Sequence, residues 1–314
     1  MQEKYSNQDQ NIISDEINLL EIFDVLIEGK WLIISVNSFV LLIAVIYSFF
    51  LPNMYEAEAI LVPSDQSNKI NGAMSSYSGL AGLAGISLPS QGSDNNSVKA
   101  IKKVASLSFF ETNIMPNIFL PDLMALKSWN YKENKLLYDE TAYDSTSNAW
   151  IRKFTYPKTQ VPSAQESFEV FKNNMKIVED SKTGFVTFKI KHQSPFIAKE
   201  WVDVIVRELN TFYRQKDKAE AQRAVNYLNM QIAMTNLSEI KLVIAELLQQ
   251  ETQKLTLIEA NQFYVLDYID PPAVMEKRSE PKRLTIWIFA TILGCMLGIV
   301  ITLVRYYGFK HKEF

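Results

Sequence analysis

The chain has 314 residues, of which 47% are hydrophobic and 21% charged, and its formal net charge at pH 7 is -3. One cysteine, Cys295, allows neither an intramolecular disulfide nor a cysteine zinc site, and two histidines are too few for a histidine metal cluster. The small negative charge provides no clustered basic surface for nucleic acid. Composition therefore predicts no metal, no cofactor and no nucleic-acid partner.

Two runs of 21 residues, 31–51 and 284–304, contain no Asp, Glu, Lys or Arg. Each is close to the roughly 20 residues that a helix needs to cross the hydrocarbon core of a membrane. The first run starts late and lacks the Ala-x-Ala cleavage site of a signal peptide, so it is predicted to be a retained anchor. The predicted organisation is an N-terminal segment over 1–30, a transmembrane helix over 31–51, a water-soluble domain over 52–283, a second transmembrane helix over 284–304 and a tail over 305–314.

The charges beside the first span predict the orientation of the chain. Lys30 precedes this span directly, and no Lys or Arg follows it until Lys69. Because positive flanks stay inside, the N-terminus is expected in the cytoplasm. The second span opposes this orientation, since its flanking bases are Lys277, Arg278, Lys282 and Arg283 before it and Arg305, Lys310 and Lys312 after it. The first span usually dominates, so both termini are predicted to be cytoplasmic and 52–283 extracytoplasmic.

The segments around the first span have distinct patterns. Apolar residues at roughly helical spacing over 15–29 predict an amphipathic helix that either lies on the membrane surface or packs on its own neighbours. Pro52 is expected to end the span, and 55–63 is predicted to be a strand. Residues 64–97 are rich in Ser, Gly and Asn and lack a GxxxxGK[ST] phosphate-binding pattern, so a flexible or oligomer-facing loop is favoured over a ligand loop.

The middle of the soluble region alternates helical and strand patterns. Residues 98–107 have helical spacing, whereas 113–162 is expected to be irregular because it contains four prolines. Ser163-Ala-Gln-Glu166 has the spacing of a capping box and predicts a short helix. The alternating segments 175–180 and 185–193 predict a hairpin.

His192 and the scattered acids offer little for catalysis. His192 shares the apolar face of the predicted hairpin, which favours a buried structural histidine over a general base. The chain contains no Gly-x-Ser-x-Gly nucleophile elbow. Acids alternate with Lys and Arg over 216–223, a pattern typical of solvated faces. No catalytic residue is predicted.

A very long helix is predicted to follow the hairpin. Ser194-Pro195 is a strong helix start, and neither Gly nor Pro follows until Pro271, so a helix is expected over about 195–235. Ser238 is expected to cap a second helix that reaches about residue 260, and 263–270 is predicted to be a strand. A helix this long cannot be buried along its whole length in a small domain, so it is expected to project or to pack against other copies. The predicted fold class is α+β, in which two transmembrane helices flank an extracytoplasmic domain with a small mixed sheet and one very long helix.

The second span contains a GxxxG motif formed by Gly294 and Gly298. Such a motif lets two helices approach closely, so these glycines are predicted to pack helices within one chain or between copies. In the first span, Asn37, with Ser35 and Ser38, could bond across helices.

These patterns together resemble Wzz-type chain-length determinants, the class 1 polysaccharide co-polymerases of bacterial inner membranes. The matching blocks are INLLEIFDVLIEGKWLI, LPNMYEAEAILVP, SSYSGLAGLAGISL, TGFVTFKIKHQSPFIAKEWVDVIVRELN and DPPAVMEKRSEPKRLTI. The positions near the membrane that match family motifs are Pro52, Tyr55, Ala57, Pro271, Pro281, Lys282 and Arg283. A Pro-Lys-Arg before the second span is typical of this family, whose two ends lie in the cytoplasm, although these bases can also simply snorkel to lipid headgroups.

The resemblance implies a scaffold and not an enzyme. Family members form rings in the inner membrane, and their long helices rise into the periplasm. The implied function is to regulate the modal chain length of O-antigen lipopolysaccharide, or of a similar surface polysaccharide. The implied partners are other copies of the chain, a separate Wzy-type polymerase, the growing polysaccharide and membrane lipid. The alternative is a capsule or exopolysaccharide export adaptor of a related co-polymerase class.

Overall fold

The computed structural model describes residues 19–64, 96–261 and 263–310. The first 18 residues of the N-terminal segment and most of the predicted Ser/Gly-rich loop lie outside the described residues. The chain divides into two compact units. One unit, the helical unit, comprises Met1–Pro52 with Glu280–Phe314, and the other, the α+β unit, comprises Asn53–Ser279.

The described helices and strands follow one another in this order. The helices are α1 (Leu19–Glu28), α2 (Lys30–Phe50), α3 (Asn96–Val104), α4 (Leu107–Phe109), a π-helix (Phe110–Ile114), a 3-10 helix (Met115–Asn117), α5 (Leu120–Met124), α6 (Ala164–Asn174), α7 (Pro195–Met234), α8 (Ser238–Ala260) and α9 (Arg283–Lys310). The strands are β1 (Tyr55–Pro63), β2 (Leu126–Asn130), β3 (Lys135–Tyr138), β4 (Tyr143–Asp144), β5 (Ala149–Trp150), β6 (Met175–Glu179), β7 (Val186–His192) and β8 (Leu266–Asp270).

The helical unit contains the two predicted spans. By length and composition, α2 and α9 are long and apolar enough to cross a membrane. They pack against each other, and α1 packs mainly on α9. Helix α2 ends at Phe50 because Leu51 precedes Pro52 and adopts an extended conformation, with φ -68° and ψ 134°.

The main sheet of the α+β unit is antiparallel throughout. Its strand order is β6-β7-β1-β8, and each neighbouring pair runs antiparallel. The predicted α+β class with a very long helix is confirmed, but the expectation of a mixed sheet is wrong. Strands β7 and β8 run in the same direction, but they are not neighbours in the sheet. Strand β1 lies between them and is antiparallel to both, so no parallel pair forms in this sheet.

The core lies between this sheet and the first half of α7. Strand β1 alternates strictly, and Ala57, Ala59 and Leu61 are at most 1% exposed. On β7 the buried partners of these residues are Ile190, Phe188 and Val186. Helix α7 packs on both strands, and its buried positions recur every three or four residues, at Ala198, Trp201, Val202, Ile205 and Leu209.

The opposite face of β1 and β7 carries charge. Glu56 and Glu58 pair in register with Lys191 and Lys189. Lys189 Nζ hydrogen-bonds Glu58 and lies 3.5 Å from Glu56 Oε1, and Lys191 Nζ lies 3.8 Å from the other oxygen of Glu56. The sheet therefore has one apolar face and one face of cross-strand ion pairs, which sets the register of β1.

The segment predicted to be irregular contains two small hairpins. Strands β2 and β3 form one hairpin, and β4 and β5 form the other. The strands have only two to five residues, and β2 carries a register shift, so strict alternation is absent from the sequence. Asn134 and Asn148 have φ of 49° and 52°, and asparagine is a residue that tolerates this left-handed region. These two asparagines were the available turn signal.

The predicted helix starts are confirmed in position but not always in mechanism. The capping box at Ser163 and Glu166 is present with both reciprocal hydrogen bonds. Ser194 occupies the N-cap of α7, but its side chain makes no capping bond. Ser238 was expected to be a cap and is instead the first residue of α8, because Leu237 takes the N-cap position.

A buried asparagine joins the long helix to the end strand. Asn210 on α7 is 4% exposed. Its Nδ2 donates to the carbonyl oxygens of Val206 (3.0 Å) and Leu266 (2.9 Å). Its Oδ1 accepts from the backbone N–H groups of Tyr264, Val265 and Leu266, at 2.9, 2.8 and 3.2 Å. One side chain thus satisfies the backbone at the start of β8 and fixes the strand against α7.

Replacing this side chain is expected to be costly. Asn210→Ala removes the side-chain partner of three buried N–H groups and of two carbonyl oxygens, so it should lower the free energy of unfolding by about 2–4 kcal/mol. Denaturant unfolding of the detergent-solubilised chain, followed by circular dichroism, measures the change. Asn226→Ala, at an exposed position on the same helix, is the control and should change stability by less than about 0.5 kcal/mol. Equal effects of the two variants would contradict the clamp.

Candidate functional site

The described residues contain no group of three or more His, Cys, Asp or Glu side chains that could hold a metal ion. The features with functional potential are a buried histidine, a close helix pair, the two ends of the α+β unit and a long helical hairpin. Each is built from residues that the sequence singled out or from their neighbours.

His192 is buried at the end of β7 and is 4% exposed. Its Nε2 lies 3.1 Å from the carbonyl oxygen of Asp122, which can only accept, so Nε2 carries the proton. In the neutral ring Nδ1 is then an acceptor, and it receives the N–H of Ser194 at 3.0 Å. The ring also packs edge-on against Trp201, with 4.9 Å between centroids. This geometry uses both nitrogens on backbone groups, which is the predicted structural role.

The environment of His192 determines its proton affinity. Burial lowers the pKa of His192 below its usual value, against the opposing effect of two backbone carbonyl oxygens, that of Asp122 beside Nε2 and that of Ser194 at 3.3 Å from Nδ1. Burial also raises the pKa of the neighbouring Asp122 carboxyl, to which the Tyr138 hydroxyl donates at 2.6 Å. The folded chain therefore favours the neutral imidazole of His192 and makes the Asp122 carboxyl a weaker acid than usual.

The free energy of unfolding should decrease as the pH falls and His192 becomes protonated. Because its folded pKa lies below the unfolded value of 6.5, its contribution is complete above that pH and is lost as the pH falls towards the folded pKa. Thermal unfolding of wild type and His192→Gln at about pH 7.5 and about pH 5 tests this linkage. His192→Gln should start less stable and lose less on acidification. The raised pKa of Asp122 affects stability in both proteins with the opposite sign, so the difference between them isolates His192. Parallel pH profiles would contradict the assignment.

The two apolar helices pack closely at the predicted glycines. A Cβ on Gly294 would lie 2.5 Å from Asn37 Oδ1 and 3.1 Å from Asn37 Cα. A Cβ on Gly298 would lie 3.0 Å from Ile33 Cα. Both approaches are to backbone, which cannot move away as a flexible side chain can. The geometry places these glycines between α2 and α9 of one chain.

Of two polar side chains on α2 that face α9, one forms a hydrogen bond across the helices and the other does not. Trp287 Nε1 donates to Ser48 Oγ at 3.2 Å, which joins α9 to α2 near the end that leads into the α+β unit. Asn37 was expected to bond across helices, but its Oδ1 is buried without a hydrogen-bond partner among the described residues. The Asn37 side chain occupies the space left by the missing Cβ of Gly294, since its Oδ1 lies 2.5 Å from where that Cβ would be. The sequence did not indicate the contact of Ser48 with Trp287, because a serine in an apolar run carries no distinctive spacing.

Enlarging Gly294 should separate the two helices. The test uses a Cys295→Ser protein with cysteines placed at Ser48 and Trp287, which a short bifunctional thiol reagent can cross-link. We expect Gly294→Ile to reduce the yield of this cross-link. The reason is that a Cβ at this position meets backbone at 3.1 Å, and such overpacking costs about 1–3 kcal/mol. Gly308→Ile is the matched control, because nothing lies within 4 Å of a Cβ at Gly308. An unchanged yield in Gly294→Ile would show that the glycine does not serve this helix pair.

The two ends of the α+β unit are held together. Ser279 donates its backbone N–H to the carbonyl oxygen of Met54 at 2.8 Å, and its hydroxyl donates to the same oxygen at 3.1 Å. Arg278 Nη1 reaches Asn53 Oδ1 at 3.5 Å. The chain thus enters and leaves this unit at one place.

The family-motif positions fall in both units and have different local roles. In the α+β unit, Tyr55 packs edge-on against Trp129 with 5.4 Å between ring centroids, Ala57 is buried under α7, and Pro271 is exposed. In the helical unit, the Arg283 guanidinium lies 4.8 Å from the centroid of the Phe49 ring.

The remaining motif positions of the helical unit surround the start of α9. Pro52 directly follows the extended residue that ends the first span. Pro281 accepts the N–H of Arg283 at 2.9 Å, and the carbonyl oxygen of Lys282 accepts the N–H of Thr285 at 3.0 Å. These positions therefore shape the ends of the two apolar helices.

The hairpin of α7 and α8 exposes apolar side chains around its turn. The sequence pointed to Val225, Leu228, Ile232 and Leu237, of which the first three are half-buried and Leu237 is 60% exposed. The exposed large side chains in this region are Tyr227, Met230, Met234, Leu237, Ile240 and Leu242. Most of these were missed because they are spread over two helices and a turn, so no single helical period contains them.

The architecture is that of an α+β unit between two helices long and apolar enough to span a membrane. Residues 15–107 match the family model of Wzz, described as chain length determinant protein. This match confirms the predicted resemblance to the Wzz-type chain-length determinants, and it covers α1, the first apolar helix and β1. No curated protein matches the chain significantly.

Two solved structures are similar to the chain at low identity. A full-length bacterial polysaccharide co-polymerase is 15% identical, with a TM-score of 0.39, over 92% of this chain and 98% of the other. A fragment of WzzB, a polysaccharide co-polymerase from Salmonella Typhimurium, is 13% identical, with a TM-score of 0.29, over 73% of this chain and 100% of the other. Both TM-scores lie below 0.5, so neither similarity supports a detailed structural argument.

Proposed function

We propose that this protein is an inner-membrane polysaccharide co-polymerase that regulates the modal chain length of O-antigen lipopolysaccharide or a similar surface polysaccharide. It acts as an oligomeric scaffold beside a separate Wzy-type polymerase and performs no catalysis itself. The observation that carries the proposal is the Wzz family match over 15–107. The matched residues include both the apolar helix α2 and strand β1 of the α+β unit.

The helical hairpin supports an oligomeric scaffold. Helix α7 has 40 residues and is therefore about 60 Å long, yet beyond Tyr213 only Ala221 is buried along it. The turn region between α7 and α8 instead exposes large apolar side chains. Apolar surface of this kind in a soluble unit marks a protein contact, and further copies of the chain are the proposed partners.

The helical unit supports anchoring in the membrane with both termini in the cytoplasm. Lys30 stands at the start of α2, whereas the residues that follow the helix are uncharged until Glu56. In this orientation the α+β unit is periplasmic. There it can meet the growing polysaccharide, while α2 and α9 contact membrane lipid.

Deleting the gene should change the modal length of a surface polysaccharide without abolishing its synthesis, because a scaffold regulates a polymerase that remains active. A gel ladder of the polysaccharide from the deletion strain measures this. Plasmid-borne wild type should restore the original distribution, and the empty plasmid is the control. An unchanged banding pattern, or complete loss of the polymer, would contradict the proposed role.

A further inference from the structure

An open cleft of about 670 Å³ lies in the helical unit where α1, α2 and the end of α9 meet. Its floor is formed by Val25, Leu32 and Thr302, of which Val25 is 4% and Thr302 6% exposed. Its polar rim carries Glu28 from α1 and Arg305 from α9. The cleft therefore combines an apolar base with two charges of opposite sign.

Gly29 creates the room for this arrangement. It ends the α1 helix with a backbone bond from its N–H to the carbonyl oxygen of Val25 at 2.9 Å, and α2 starts at the next residue. A Cβ on Gly29 would lie 2.2 Å from Thr302 Cγ2. Only a glycine lets α9 pack this closely against the junction, and α1 and Arg305 then lie on either side of the cleft.

The two rim charges are available to a ligand. Glu28 and Arg305 are both exposed, and neither forms an ion pair with another described residue. A carboxylate accepts hydrogen bonds from an ammonium group, and a guanidinium donates to a phosphate. The rim thus offers one site for each end of a zwitterion.

The surroundings point to a lipid and not to a free small molecule. Trp31, also on the cleft, is 74% exposed at the start of an apolar helix, which is where interfacial aromatic residues occur. The helices that form the cleft also expose apolar side chains elsewhere on their surfaces: Phe23 and Ile27 on α1 and Val304 on α9 are 64%, 50% and 66% exposed. Such side chains offer surface that the acyl chains of a bound lipid can cover.

We propose that this cleft binds the headgroup of a zwitterionic phospholipid with a primary ammonium, that is, a phosphoethanolamine headgroup. Arg305 donates to the lipid phosphate, Glu28 accepts from the ammonium, and the acyl chains lie along the apolar faces of α1 and α9. The proposal rests on the part of the proposed function that places α2 and α9 in a membrane.

The charge pattern separates this lipid from two common alternatives. A phosphatidylglycerol headgroup has no cation for Glu28, so its anionic phosphate would lie near a carboxylate that gains no partner from the lipid. A phosphatidylcholine headgroup has a quaternary nitrogen that cannot donate a hydrogen bond to Glu28. Both should therefore bind less well than the ethanolamine lipid.

Native mass spectrometry of the full chain in detergent, with each of the three lipids carrying identical acyl chains, tests the assignment. We expect phosphatidylethanolamine to be retained about five-fold more than either other lipid, since each charge-assisted contact contributes a factor of this order. Glu28→Gln should remove the preference over phosphatidylcholine, and Arg305→Gln should weaken all three lipids. Glu239→Gln and Arg223→Gln, exposed positions in the α+β unit, are the controls and should change nothing.

Equal retention of the three lipids by wild type would overturn the proposal. A preference for phosphatidylethanolamine over phosphatidylcholine that survives Glu28→Gln would also overturn it. So would retention of phosphatidylglycerol equal to that of phosphatidylethanolamine. The polysaccharide ladder of cells that carry Glu28→Gln separates this inference from the proposed function. Loss of lipid selectivity with a normal ladder supports the cleft alone, whereas failure of the deletion strain to alter the ladder removes the co-polymerase role and leaves the lipid result standing.

Discussion

Burial of the apolar face of β1 under α7 is the interaction on which the rest of the α+β unit depends. Ala57 and Ala59 on this face are small, so the helix can lie close to the sheet, and both are almost fully buried. Strand β1 lies between β7 and β8, which come before and after the helical hairpin. Its position therefore orients both ends of the hairpin, and Asn210 fixes the second of them through four hydrogen bonds to the backbone of 264–266.

This core leaves the far part of the hairpin without enough partner surface in its own chain. Helix α7 is well buried only over its first half, and apolar residues such as Met234 and Leu242 remain exposed around the turn. The α+β unit is thus well packed where α7 covers β1 and exposes apolar side chains around the turn of the hairpin. Such a division suits a part that is positioned by one end and assembles with copies of itself along the other, which agrees with the proposed scaffold.

Much of the architecture could be predicted from the sequence, because the strongest patterns are long. Three patterns each extend over enough residues to favour one interpretation. They are the two charge-free runs, the stretch without Gly or Pro that follows Ser194-Pro195, and the alternation of β7. The small hairpins of 126–150 could not be predicted, since strands of two to five residues carry no period. The antiparallel sheet could not be predicted because it depends on the position of β1 between β7 and β8. That pairing joins segments far apart in sequence and leaves no local pattern. Among the candidate site residues, Gly294 and Gly298 have a recognisable spacing, whereas the cleft at Gly29 depends on a contact with Thr302 that is distant in sequence.

The central claim is that the chain works as an assembled scaffold, and its mass in solution tests that claim most directly. Mass photometry of the detergent-solubilised full-length protein, corrected for the micelle, should give a single large species at a multiple of the 36.0 kDa chain. That species should persist on dilution, because the proposed contact between copies buries the exposed apolar surface of the hairpin. A species of one chain mass across a wide concentration range would contradict the account.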